Sequence, residues 1–155
     1  MSIKEQAEVF RRGLLLGLFR VSPVIAWCDS VIMGEPSPDV AIIEASLAGS
    51  RGADAVARAL SEADGDFGET KVLCTLFRSM LDILNQDAKQ ASTIGEWLSR
   101  MVQKGWAPNE EAEVDMINLP EMVDMAEEGI YGGLEVVRNE MRSFLEKYST
   151  PKADT

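Results

Sequence analysis

Apolar positions recur along this chain at helical spacing, and polar punctuation separates one stretch from the next. From Ile3 to Arg20, one face carries Val9, Phe10, Gly13, Leu14, Gly17 and Leu18, and Leu15, Leu16 and Phe19 widen the arc. So broad an apolar arc predicts a central helix. Ser22-Pro23 reads as an N-cap followed by proline. It opens a second helix with Val24, Trp27, Cys28, Val31 and Ile32, which stops at Gly34. Ser37-Pro38-Asp39 repeats that signal for a third helix, with Val40, Ile43 and Leu47 as its face and Gly49 as its end. A short fourth helix carries Val56, Leu60 and Ala63.

The second half has the clearest period. Val72, Leu73, Leu76, Phe77, Met80, Leu81 and Leu84 form one stripe, with Asp66 as the expected N-cap and Glu69 three residues on. Thr93 and Glu96 suggest a capping box for a sixth helix that shows Ile94, Trp97, Leu98, Met101 and Val102 and ends at Gly105. Trp106 then reads as a hydrophobic contact that closes that helix end or as an exposed anchor beside the acidic region, the first being the better reading. Pro108-Asn109 starts the next segment, and Leu119-Pro120 predicts its division into two short helices before Glu128. The last helix takes Ile130, Leu134, Val137, Met141, Phe144, Leu145 and Tyr148. No segment alternates long enough for a strand. The expectation is an all-α fold: a compact bundle of seven or eight short helices packed as antiparallel pairs. Residues 1–150 are expected to form a single helical domain and 151–155 a disordered tail.

Composition narrows the chemistry. With 155 residues and 46% apolar content, a core can form without a metal or a disulfide. Cys28 and Cys74 lie in apolar stretches and read as buried, reduced thiols, which fits a cytoplasmic protein. The run from Gly13 to Phe19 is too short to span a bilayer, and the Gly13-x-x-x-Gly17 pair reads as close helix packing. The chain has no histidine, which removes the commonest general base and metal ligand. Asp64 to Glu69 resembles the start of a calcium loop, but the sixth and twelfth positions hold Glu69 and Thr75 where glycine and glutamate are needed. No catalytic residue, cofactor or metal is therefore expected. Carboxylate-only catalysis is a distant third class.

Charge gives the one functional clue. The formal net charge is -11, and Gly105 to Val137 holds nine acidic residues and no basic one: Glu110, Glu111, Glu113, Asp115, Glu121, Asp124, Glu127, Glu128 and Glu135. Met116, Met122 and Met125 are interleaved with them, and methionine suits adaptable contact surfaces. An acidic run of this length reads either as a solvated helix face or as a docking face for a basic protein; for the run as a whole, docking is the better reading. Of the set, Glu110, Glu111, Glu113, Asp115, Glu121, Asp124, Glu127 and Glu128 are the expected partner-binding residues. Nucleic acid and anionic membrane are not expected partners, because both require a positive patch. Arg11, Arg12 and Arg20 are the best basic group.

The stretch Gly17-Leu18-Phe19-Arg20-Val21-Ser22-Pro23-Val24-Ile25-Ala26-Trp27-Cys28-Asp29-Ser30-Val31-Ile32, followed by Ser37-Pro38-Asp39-Val40-Ala41-Ile42-Ile43-Glu44-Ala45-Ser46-Leu47-Ala48-Gly49, resembles small bacterial helical proteins, some of which are similar to immunity proteins of toxin systems. The resemblance covers about the first third of the chain and rests on helix starts and apolar spacing. It implies a helical domain that neutralises a toxin by binding it, and it assigns no contact residue. The alternative is a structural or regulatory module that acts as an adaptor or homo-oligomer. In either case the chain is expected to be a binder and not an enzyme.

Overall fold

A computed structural model describes residues 1–130 and 132–151. Among these residues there are eight α-helices, two short 3-10 turns and no strand. Two compact units make up the chain, Met1–Val72 and Leu73–Thr155. Residues 152–155 of the expected tail lie outside the described residues.

In the first unit, α1 (Ile3–Leu16) opens on a capping box: the Ser2 hydroxyl accepts from the Glu5 N–H, and the Glu5 carboxylate accepts from the Ser2 N–H. The helix ends four residues before the expected Arg20. Gly17 turns left-handed at φ 85, its N–H reaches the Leu14 carbonyl, and the Leu18 N–H reaches that of Gly13. This is a Schellman closure, for which glycine is suited because it lacks a Cβ. Phe19 then folds back over Gly13, where an added Cβ would lie 2.0 Å from the Phe19 ring. The two glycines thus serve the end of α1, one by its conformation and the other by leaving room for a ring.

The next boundaries also shift. α2 (Val21–Gly34) is capped at Arg20 rather than Ser22. Pro23 therefore lies inside the first turn, where an N–H would have no helical partner anyway. α3 (Val40–Leu47) is capped by Asp39, whose carboxylate accepts from the N–H groups of Ala41 and Asp64 and so anchors two separate turns. The face of α3 differs from the expected one. Ala41, Ile42 and Ala45 are buried, while Val40 and Leu47 are exposed. α3 packs against both α2 and α4 (Ala53–Ser61), and small alanines allow that approach where larger side chains would hold it open. Val56, Leu60 and Ala63 are buried as expected, and α4 packs on α1. Cys28 joins this core, where burial pushes its thiol up to about 11.

α1 lies so deep that it carries charge inward. Glu8 is 3% exposed and Arg12 4%. Arg12 donates to both Glu69 carboxylate oxygens at 2.7 Å and to Glu8 Oε1 at 2.8 Å. Arg11 donates to the same Glu8 carboxylate at 2.5 and 2.9 Å. Buried charges survive only when paired and hydrogen-bonded in this way.

α5 (Glu69–Gln86) begins in the last residues of the first unit and continues into the second. Asp66 does not cap it. The Gly68 carbonyl accepts the first helical bond, from Val72, and Glu69 pairs with Arg12 in place of a capping box. In the second unit, Phe77 of α5 meets Phe144 edge-on at 5.6 Å. Arg78 reaches the Ser149 carbonyl and Asn85 accepts from Arg142, so α5 runs antiparallel to α8 (Leu134–Ser149). α6 (Ala91–Gln103) starts two residues before Thr93, behind a 3-10 turn capped by Asp87. Gly105 stops it with φ 75, as its position predicts, and the backbone N–H of Trp106 bonds the Met101 carbonyl beyond that turn.

α7 (Glu110–Glu127) corrects the largest misreading. It is one continuous helix of 18 residues with Pro120 inside, where two short helices were expected. A proline within a helix costs about 3 kcal/mol. The offset is a continuous buried stripe, Ala112, Met116, Leu119, Val123 and Ala126, at i, i+4, i+7, i+11 and i+14. The stripe packs on α6, where Gly95 leaves room for Pro120: an added Cβ would stand 3.2 Å from the Pro120 Cα and Cβ. Ile130 lies outside α8 and is exposed, contrary to its expected place on that helix.

Candidate partner-binding face

Glu110, Glu111, Glu113, Asp115, Glu121, Asp124, Glu127 and Glu128 are all exposed, as is Glu135. Seven of the eight candidates lie within α7, and Glu128 is its C-cap. At about 3.6 residues per turn, the buried stripe fixes which side of α7 faces out. Glu110, Val114, Ile117 and Glu121 fall in line directly opposite the stripe, at i, i+4, i+7 and i+11. Glu113 and Asp124 flank this ridge on the α6 side, and Asp124 shares a cleft with Arg100 and Glu96 of α6. Glu111 and Asp115 flank it on the α8 side. The acids therefore wrap the outward half of one helix and do not form a single flat patch.

Among the described residues, the one ion pair in this set joins Glu111 to Lys147 of α8 at 3.0 Å, with both side chains largely in solvent. Hydrogen bonding to Glu111 raises the Lys147 ammonium above its ordinary value. So exposed a pair contributes little stability.

The helix dipole separates the acids into two groups. Glu110, Glu111 and Glu113 occupy the first turn, where negative charge is favoured, and Asn109 caps that end by accepting from the Ala112 N–H. Helix stability alone accounts for these three. Asp124, Glu127 and Glu128 stand at the C-terminal end, and the last turn holds no basic residue. Carboxylates there oppose the dipole by about 0.3–1 kcal/mol each. The helix dipole does not account for them.

Two contact candidates escaped the sequence reading. Val114 is 56% and Ile117 52% exposed, and both stand on the acidic ridge. The methionines, by contrast, turn inward: Met116 is fully buried, and Met122 and Met125 are half-buried. The signal was present in the periodicity, since the buried stripe skips positions 114 and 117. It is legible only when α7 is read as one helix, and Pro120 argued against that.

The basic trio does not form a patch. Arg12 is buried, and Arg11 and Arg12 are both engaged by Glu8. Among the described residues no three His, Cys, Asp or Glu side chains converge as a metal site, and no helix is long and apolar enough to cross a membrane. Both thiols are buried, and burial raises them above their ordinary value, which leaves them poor nucleophiles. In comparison with known proteins, no family model matches the chain, and no curated protein or solved structure is significantly similar to it.

Proposed function

We propose that this chain is an inhibitor or immunity-type protein that binds a basic protein, such as a toxin, through the outward face of α7. The observation that carries the reading is the ridge in which Glu110 and Glu121 bracket the exposed pair Val114 and Ile117. Such a ridge has the two components of a fast, specific interface. Carboxylates steer an oppositely charged partner and raise its association rate, and an apolar centre excludes water and slows dissociation. The acids at the C-terminal end of α7 add support, since they are kept against the helix dipole.

The test is capture of binding proteins on the immobilised chain, followed by kinetics with the purified binder. For Glu110→Lys combined with Glu121→Lys, the association rate at low salt should fall at least about tenfold. Its decline with added salt should also flatten. Unchanged affinity together with unchanged salt dependence rejects the acidic ridge as a docking face.

A further inference from the structure

Beside the ridge, α7 and α8 enclose an open groove of about 580 Å³. The two helices run antiparallel, as the Glu111–Lys147 bridge between the start of α7 and the end of α8 requires. Val136 and the half-buried Met122 supply apolar surface along the groove over a floor formed by the buried Leu119 and Phe144, and Asp115 and Glu140 line it from opposite helices. Val136 is 57% exposed, so this surface is open to solvent. From Val136 to Lys147 the α8 wall of the trough spans roughly 16 Å, about three turns, and the α7 wall from Asp115 to Met122 roughly 10 Å. Lys147 also lines it, but its charge is taken up by Glu111 at that end. Among the described residues neither Asp115 nor Glu140 has an ion pair.

We infer that this groove seats an amphipathic helix of a protein partner, with leucine-sized residues on its inner face and lysine or arginine along both edges. The inference rests on the docking reading above and names the element of the partner that is bound. A trough between two antiparallel helices accepts a third by ridge-into-groove packing. The apolar walls set the inner face of the incoming helix, and carboxylates on both sides set the charge of its edges.

The experiment uses the full chain, labelled with nitrogen-15, and a synthetic 15-residue helical peptide with leucines at helical spacing and lysines beside them. Amide shifts should centre on Leu119, Met122, Val136 and Glu140. Val136→Asp, at an exposed position, should weaken binding at least tenfold, and so should replacing every lysine of the peptide with glutamate. Three results overturn the inference: no saturation at millimolar peptide, equal binding of the glutamate peptide, or shifts confined to Val114, Ile117 and their neighbours on the ridge. The last result leaves the ridge as a site for a basic partner. Conversely, the proposed function can fail in the Glu110→Lys, Glu121→Lys kinetics while peptide binding in the groove persists, so the two failures are distinguishable.

Discussion

Glu8 shows how one side chain couples charge to folding. Burial pushes its carboxyl up, but the hydrogen bonds from Arg11 and Arg12 outweigh that and hold it below the ordinary carboxylate value of 4.5. A carboxyl depressed in the folded state stabilises the fold above its unfolded value, and this contribution is lost as pH falls through the folded one. Glu8→Gln should therefore cost about 1–3 kcal/mol at neutral pH, where two arginines lose a charged acceptor. Thermal melts of the two proteins should converge as pH falls below 4.5. A constant gap down to pH 3 would show that the Glu8 charge is irrelevant to stability. The burial of this cluster was not legible in the sequence. Helix spacing alone makes Glu8 a neighbour of Arg11 and Arg12, but they look like surface residues of an amphipathic helix, and Glu69 lies far along the chain, so only the packing of α1 buries them and adds Glu69.

At the scale of elements, the helical stretches were legible, but several of their limits were not. The stripe of α5 and the Gly105–Trp106 stop of α6 stand as the periodicity predicts, because each depends on neighbours along the chain. One failure is local: the left-handed Gly17 and the return of Phe19 over Gly13 stop α1 early. The others have tertiary causes. The close packing of α3 selects its alanine face, although its larger residues mark the opposite one. The contact of Pro120 with Gly95 lets α7 run through a proline. That contact is testable. Gly95→Leu gains helix propensity, yet it must push α6 and α7 apart at a backbone atom, and it should lower stability by about 1–3 kcal/mol in denaturant unfolding. A neutral or stabilising effect would mean that the two helices are not held at this point. The candidate site was half legible for the same reason: every carboxylate was identified, but Val114 and Ile117 were hidden by the expected break in α7.

Over the whole molecule, charge and exposed apolar surface oppose each other. The net charge of -11 disfavours association between copies. Met33, Val40 and Leu47 of the first unit nevertheless remain in solvent, and such residues would drive assembly if the chain were a structural or regulatory module. Sedimentation velocity separates the two readings. A protein that awaits a basic partner through α7 should sediment as a monomer from about 1 to 100 μM at ionic strengths where surface repulsion is screened. A dimer that grows with concentration over that range would favour the module instead.

Gly13 and Phe19 hold a final consequence, for evolution. The ring occupies the space that any side chain at position 13 would need, so a change at 13 must displace the ring and the two positions are coupled. A lineage that acquires alanine at 13 must swing the ring at 19 off its seat or accept a smaller residue there. Descendants of this chain should therefore change the pair together, or keep both, more often than they change position 13 alone.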